Sequence, residues 1–325
     1  MKQKNGIVFA GCKDTTLECM TALMEAGYKI DLLITINEEA GEKNKVAGYM
    51  DLQTFAARHN IPVYTAASYS LKNEKDIEKL SAIKIDVLLV IGWQRLIPEW
   101  LLSRLTFGAF GMHGSSHALP YGRGRSPMNW SIIQNRESFI SNLFKYLPGI
   151  DDGDIVGTQM FDVNPFDNGR TMHYKSTLAM IALLIKHLPL IQKGEFNLKK
   201  QMDVPPTYYP KRTEEDGVIF WDKDSAEIYN LVRAVAKPFP GAFTFYGDQK
   251  IKVWYGFPFD SRLFDPYIPI GTILHIFANG DIAVKTGDSS FLVTEYEKDE
   301  SVVLRKGVVF HSGQYQYKNP HQFPC

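Results

Sequence analysis

Cysteine is nearly absent, with only Cys12, Cys19 and Cys325 in 325 residues. A set this sparse and odd in number builds neither a disulfide framework nor a zinc site, so a reducing compartment and an ordinary hydrophobic core are expected. An excess of either charge is missing too, since 36 basic residues face 36 acidic ones. That balance supplies no global basic field for a nucleic-acid partner. Apolar runs such as Asp86-Val87-Leu88-Leu89-Val90-Ile91 are strand-length, far short of the roughly 20 residues a membrane span needs. Lys2 and Lys4 lead directly into a strand without a cleavable signal pattern, so a cytoplasmic protein with no membrane span is expected. No G-x-G-x-x-G follows the first strand, which leaves NAD binding without support.

What is present alternates. Residues 6–10 form a buried-looking apolar strand, helical spacing runs from Leu17 to Ala26, a strand spans Ile30 to Ile36, and a helix spans Leu52 to Arg58. Strands at Val87–Ile91 and Phe107–Met112 flank a short helix near Pro98–Leu105. The pattern predicts a doubly wound, Rossmann-like α/β domain. Cys12 and Cys19 would share one face of the first helix as small buried residues. A long amphipathic helix over Thr171–Leu190 closes the domain, and Pro205-Pro206 and Pro210 mark an extended linker. Beyond it the period falls to two, with strands expected at 241–246, 251–255, 271–277, 280–285 and 290–296, which suggests a small β-barrel. The resulting division is 1–200, a linker at 201–212, and 213–325. Residues 314–325 carry no readable motif.

The chemistry concentrates in one stretch. Gly108-Ala109-Phe110-Gly111-Met112-His113-Gly114-Ser115 puts a histidine at a strand end. Leu119-Pro120-Tyr121-Gly122-Arg123-Gly124-Arg125-Ser126-Pro127-Met128-Asn129-Trp130 follows as a basic glycine-rich loop, and Gly149-Ile150-Asp151-Asp152-Gly153-Asp154-Ile155 puts carboxylates on a turn. An imidazole oriented by a carboxylate is a general base, and arginines between glycines can clamp an anion. His113 is also open to a plain reading, a strand histidine satisfied by a backbone carbonyl. Asp151, Asp152 and Asp154 could be a solvated turn, but they lack the later ligands of a calcium loop, so no metal is expected.

These segments resemble the 10-formyltetrahydrofolate-dependent N-formyltransferases, whose signature is Asn-x-His-x-Ser, Leu-Pro-x-Tyr-Arg-Gly-x-x-Pro and Asp-x-Gly-x-Ile. The resemblance continues through Leu231-Val232-Arg233-Ala234-Val235, Pro238-Phe239-Pro240-Gly241-Ala242-Phe243 and Val253-Trp254 into an OB-like C-terminal domain. It implies His113 and Asp151 as catalytic residues. It also implies folate contacts from Trp93, Arg95, Leu96, Ile97 and Asp152, and acceptor contacts from Ser115, Arg123, Arg125 and Asn129. Two departures stand out. Gly111 occupies the place of the family's asparagine, and two extra residues precede Leu119. Ser115, Ser116, His117, Asn129 or an ordered water are the replacements considered for that asparagine.

Residues 37–45 are short and net acidic where methionyl-tRNA formyltransferases carry a basic insertion. With Gly41-Glu42-Lys43 and residues 124–130, they look like the formyltransferase domain that acts on UDP-4-amino-4-deoxy-L-arabinose. The resemblance therefore implies a nucleotide-linked amino sugar and 10-formyltetrahydrofolate as ligands, in cell-surface polysaccharide biosynthesis, with no nucleic acid. Methionyl-tRNA formyl transfer, and a non-catalytic folate or nucleotide-sugar binding module, remain the alternatives. The barrel is open to three roles: binding a partner, positioning the sugar nucleotide, or forming a homodimer.

Overall fold

The computed structural model describes residues 4–322, so Cys325 lies outside the described residues. In chain order the elements are β1 (Lys4–Ala10), α1 (Asp14–Glu25), β2 (Leu32–Thr35), α2 (Glu38–Lys43), α3 (Gln53–Arg58), β3 (Val63–Thr65), α4 (Glu74–Ser81) and β4 (Lys84–Val90). They continue through α5 (Glu99–Leu102), β5 (Gly108–Ser115), β6 (Arg123–Gly124), α6 (Pro127–Ile133), β7 (Ser138–Lys145), β8 (Ile155–Asp162) and α7 (Gly169–Lys193). The remainder is β9 (Tyr208–Tyr209), α8 (Ser225–Val235), β10 (Ala242–Tyr246), β11 (Gln249–Pro258), β12 (Ile273–Ile276), β13 (Ile282–Lys285) and β14 (Ser290–Glu297).

The chain divides into two compact units. The first comprises the chain up to Gly124 with Ile140–Phe161 and Tyr174–Thr207; the second comprises Arg125–Phe139, Asp162–His173 and the chain from Tyr208 on. The division is not the linear one expected from sequence, because two early segments join the C-terminal unit.

The first unit is built on a seven-stranded sheet in the order β3-β2-β1-β4-β5-β7-β8. Its pairs are parallel from β3 to β5, and β7 runs antiparallel to β5. Both faces are covered, which explains the continuous apolar runs of β1 and β4. Ile7, Phe9, Val87 and Leu89 pack with Cys19, Met20 and Leu23 of α1, Ala56 of α3, and Leu183, Leu184, Leu188 and Ile191 of α7. Val8, Ala10, Leu88 and Val90 face the other way, toward Leu80 of α4 and Leu101 of α5. Cys12 belongs to that second cluster and lies ahead of α1, so it does not share a helix face with Cys19. α7 has 25 residues and a hydropathy of 1.3 over its most apolar window, long and apolar enough to cross a membrane by length and composition. That exceeds the strand-length runs expected. Leu183, Leu184 and Leu188 are nevertheless buried against the sheet, while Leu178, Ile185 and Leu190 are exposed.

In the second unit a five-stranded antiparallel sheet runs in the order β10-β11-β14-β13-β12. Residues 308–311 bond to both of its edges: Phe245 N and His311 N donate to each other's carbonyls, and Ile273 N donates to Val308 O. The segment thereby curls the sheet toward closure and leaves neither edge open. Arg233 of α8 is buried, and its guanidinium donates to Asn230 Oδ1 and to the carbonyls of Asn164 and Asp167. Those bonds tie segment 162–173 into this unit.

Candidate active site

β5 positions the site. Successive side chains of a strand point to opposite faces, so Ala109, Gly111, His113 and Ser115 share one face and Phe110 and Met112 the other. Ala109 belongs to one core cluster and Phe110 to the other, as that alternation requires. His113 is 8% exposed. Its Nδ1 lies 3.4 Å from Asp151 Oδ2, and its Nε2 lies 2.8 Å from the Gly122 carbonyl. Both ring nitrogens thus face oxygen, and the neutral ring can donate to only one of them. The backbone end is fixed as well, because Asn142 Nδ2 on β7 donates to the His113 carbonyl at 3.2 Å.

Asp151 sits in the left-handed region at φ 49°, a conformation that non-glycine residues hold only when their surroundings enforce it. The enforcement is visible. Lys145 N donates to Asp154 O, and a Cβ on Gly153 would lie 1.7 Å from the Lys145 carbonyl. The turn is therefore pressed against the end of β7 and turns the Asp151 carboxylate toward His113. Asp151 Oδ2 also accepts from Gly124 N at 3.0 Å, tying the basic loop to the same carboxylate.

Gln201, which sequence reading assigned to the linker, joins these parts. Its Nε2 donates to the carbonyls of Asp151 at 2.7 Å and Gly153 at 2.9 Å, and its Oε1 accepts from Arg123 Nε and Nη2. Arg123 is thus held beside the Asp151 turn. A lone glutamine in a proline-rich stretch carries no signal that would have singled it out.

The remaining expected residues fall in different places. Ser115 is buried, and its Oγ accepts from His117 N at 3.3 Å. Arg125 is exposed and belongs to the second unit. Asn129 also belongs there, where its amide donates to Ala234 O at 2.7 Å. Trp93 is 6% exposed and edge-on to Tyr69, so it backs its loop from inside the core and does not offer a ring face; its Nε1 has no partner among the described residues. Arg95 lies over the Tyr69 ring. Leu96 is exposed and Ile97 buried. Neither residue's backbone N–H or C=O makes a hydrogen bond among the described residues. Asp152 Oδ1 is buried and likewise unpartnered among the described residues.

Gly111 is covered. A Cβ there would lie 2.3 Å from Tyr146 Cε2 and 2.9 Å from Tyr146 Oη, so the tyrosine fills the space a side chain at 111 would take. Tyr146 was missed in the sequence because it lies 35 positions away, beyond the end of a strand that was not anticipated. Among the described residues no group of His, Cys, Asp and Glu could hold a metal ion.

The profile of the formyl transferase C-terminal domain matches residues 211–305. The bifunctional polymyxin resistance protein ArnA of Wigglesworthia glossinidia brevipalpis is 32% identical over 258 residues, covering 79% of this chain and 38% of that protein. The N-formyltransferase from Helicobacter canadensis, solved with folinic acid and dTDP-3-aminofucose, matches with a TM-score of 0.64 at 17% identity, covering 90% of this chain and 99% of that one. HypX from Aquifex aeolicus, solved with tetrahydrofolic acid, also gives 0.64 at 14% identity, covering 90% of this chain and 44% of that one. The chain thus spans less than half the length of ArnA and of HypX. At these identities the solved structures establish the shared fold.

Proposed function

We propose that this chain, a member of the formyltransferase superfamily, moves a formyl group from 10-formyltetrahydrofolate to the amine of a nucleotide-linked amino sugar. A UDP-4-amino sugar is the first acceptor to try, on the resemblance of residues 41–43 and 124–130 to the aminoarabinose formyltransferase domain. The observation that carries the reading is the pairing of His113 on β5 with Asp151 on the turn after β7, to which Gly124 of the basic glycine-rich loop is bonded.

The amine attacks the formyl carbon, its proton leaves to His113 Nε2, and the folate nitrogen departs with its bonding pair and takes that proton. Asp151 holds the ring through Nδ1 and stabilises the transient imidazolium. The Gly122 carbonyl now stands against Nε2, so the incoming amine takes its place as partner of the ring. Arg123 would meet the phosphates of the sugar nucleotide. On the donor side, the unpaired main-chain groups of Leu96 and Ile97 suit an in-plane heterocycle, and the buried Asp152 Oδ1 lacks a donor that a ring N–H would supply. A cytoplasmic location, action without nucleic acid, and any homodimer belong to the same proposal.

The test is tetrahydrofolate release, followed by absorbance, on adding candidate amino sugars to wild type and to His113→Ala. Acceptor-dependent release by wild type alone is expected. Release that ignores the acceptor would make the protein a hydrolase of the same donor, and none at all would favour a binding module.

A further inference from the structure

We propose that the Tyr146 hydroxyl donates a hydrogen bond to the formyl oxygen as negative charge develops there, an inference that rests on the formyl-transfer reading. Attack on a carbonyl moves its π electrons onto oxygen, and a site without a donor at that point is slow by about 10²–10³-fold. Position 111, two residues before His113 on the same face of β5, has no side chain to donate.

The phenol occupies that position instead, as the 2.3 Å and 2.9 Å approaches to a Gly111 Cβ show. Its ring stacks on Phe144 at 5.0 Å and 18°, and its backbone is fixed by Tyr146 N donating to Ala109 O at 2.8 Å. The hydroxyl has no hydrogen-bond partner among the described residues, and Tyr146 is half-buried. Burial, and then the charge of Asp151, push the phenol above its ordinary range. It is therefore a donor at any working pH and never a phenolate. Of the neighbouring donors, Asn142 Nδ2 goes to backbone carbonyls, and Trp93 Nε1 lies inside the core.

The step balances. The amine lone pair forms the new C–N bond and the carbonyl π pair moves to oxygen, where Tyr146 donates without giving up its proton. Collapse restores C=O and breaks the bond to the folate nitrogen, which leaves with its electron pair and takes the amine's proton from His113.

Two readouts on the full chain decide it. The first is kcat and KM of wild type and Tyr146→Phe, which keeps the ring and its stack. A fall in kcat of about 10²–10³-fold with little change in KM is expected; turnover equal to wild type would overturn the role of Tyr146 and leave formyl transfer standing. The second is the carbonyl stretch of bound 5-formyltetrahydrofolate carrying a labelled formyl carbon. It should lie lower in wild type than in Tyr146→Phe. A Tyr146-dependent shift without turnover on any acceptor would support the contact and overturn the transfer reading, and no shift with no turnover would overturn both.

Discussion

Along one face of β5, the two positions that bracket Met112 treat their polar neighbours in opposite ways. Around His113 polar contacts are dense: each ring nitrogen faces an oxygen, the backbone carbonyl, the Asp151 carboxylate and the Arg123 guanidinium have partners, and Gln201 bridges the Asp151 main-chain carbonyl and Arg123. Around Gly111 the nearest side-chain polar atom is the Tyr146 hydroxyl, which has no partner among the described residues, with the Val90 carbonyl beside it. A dense hydrogen-bond network rigidifies its members and favours one geometry. An unspent donor on a fixed ring keeps its capacity for a ligand. One region orients and the other is poised to bind.

The largest effect that would break this comparison is at the densely bonded end. His113→Asn should cut kcat by about 10³-fold, the worth of a positioned general base, read by steady-state kinetics with folate binding as control. Tyr146→Phe comes next. Asp151→Asn should cost about 10²-fold in kcat, because it keeps the shape but loosens the ring's orientation, and a loss no larger than that of an exposed aspartate would separate Asp151 from His113. Gln201→Ala leaves two backbone carbonyls and Arg123 without their partner, so a stability loss of about 1–3 kcal/mol is expected by denaturant unfolding, with a smaller fall in kcat.

The smallest effect lies in the second unit. Burial works against the Asp288 carboxylate, but bonds from Ser225 N, the Thr286 hydroxyl and the Ser225 hydroxyl outweigh it, and its pKa falls below the usual range. A depressed folded pKa gives stability that is present above the unfolded value and lost as pH falls through the folded one. Asp288→Asn should therefore lower the melting temperature slightly near neutral pH and flatten its decline in acid. Partial exposure keeps the effect under about 1 kcal/mol.

The sheet was legible where burial dictates sequence. β1, β2, β4 and the first half of β5 are apolar on both faces and bounded by glycine or helical spacing, so their existence follows from composition. β7 and β8 were not anticipated, because β8 is largely exposed and β7 mixes polar residues into its run. Their pairing also depends on contacts remote in sequence. The C-terminal strands were readable from period two and their glycine turns. Closure by residues 308–311 was not, since that segment lacks alternation and is defined only by the edges it meets. In the site, His113 and Asp151 were readable from the glycines and charges around them. Gln201 and Tyr146 were not, because only the register of β5 against β7 and the return of the chain after α7 bring them there. The capture of segments 125–139 and 162–173 by the second unit likewise rests on Asn129 and Arg233, single polar residues whose partners no pattern predicts.

The most direct measurement is mass spectrometry of UDP-, dTDP- and GDP-linked amino sugars after incubation with the protein and 10-formyltetrahydrofolate labelled at the formyl carbon, beside His113→Ala. The account predicts that one acceptor gains a single labelled formyl group and that the variant adds none. Bound folate with no labelled product on any acceptor, or equal labelling by His113→Ala, would contradict it.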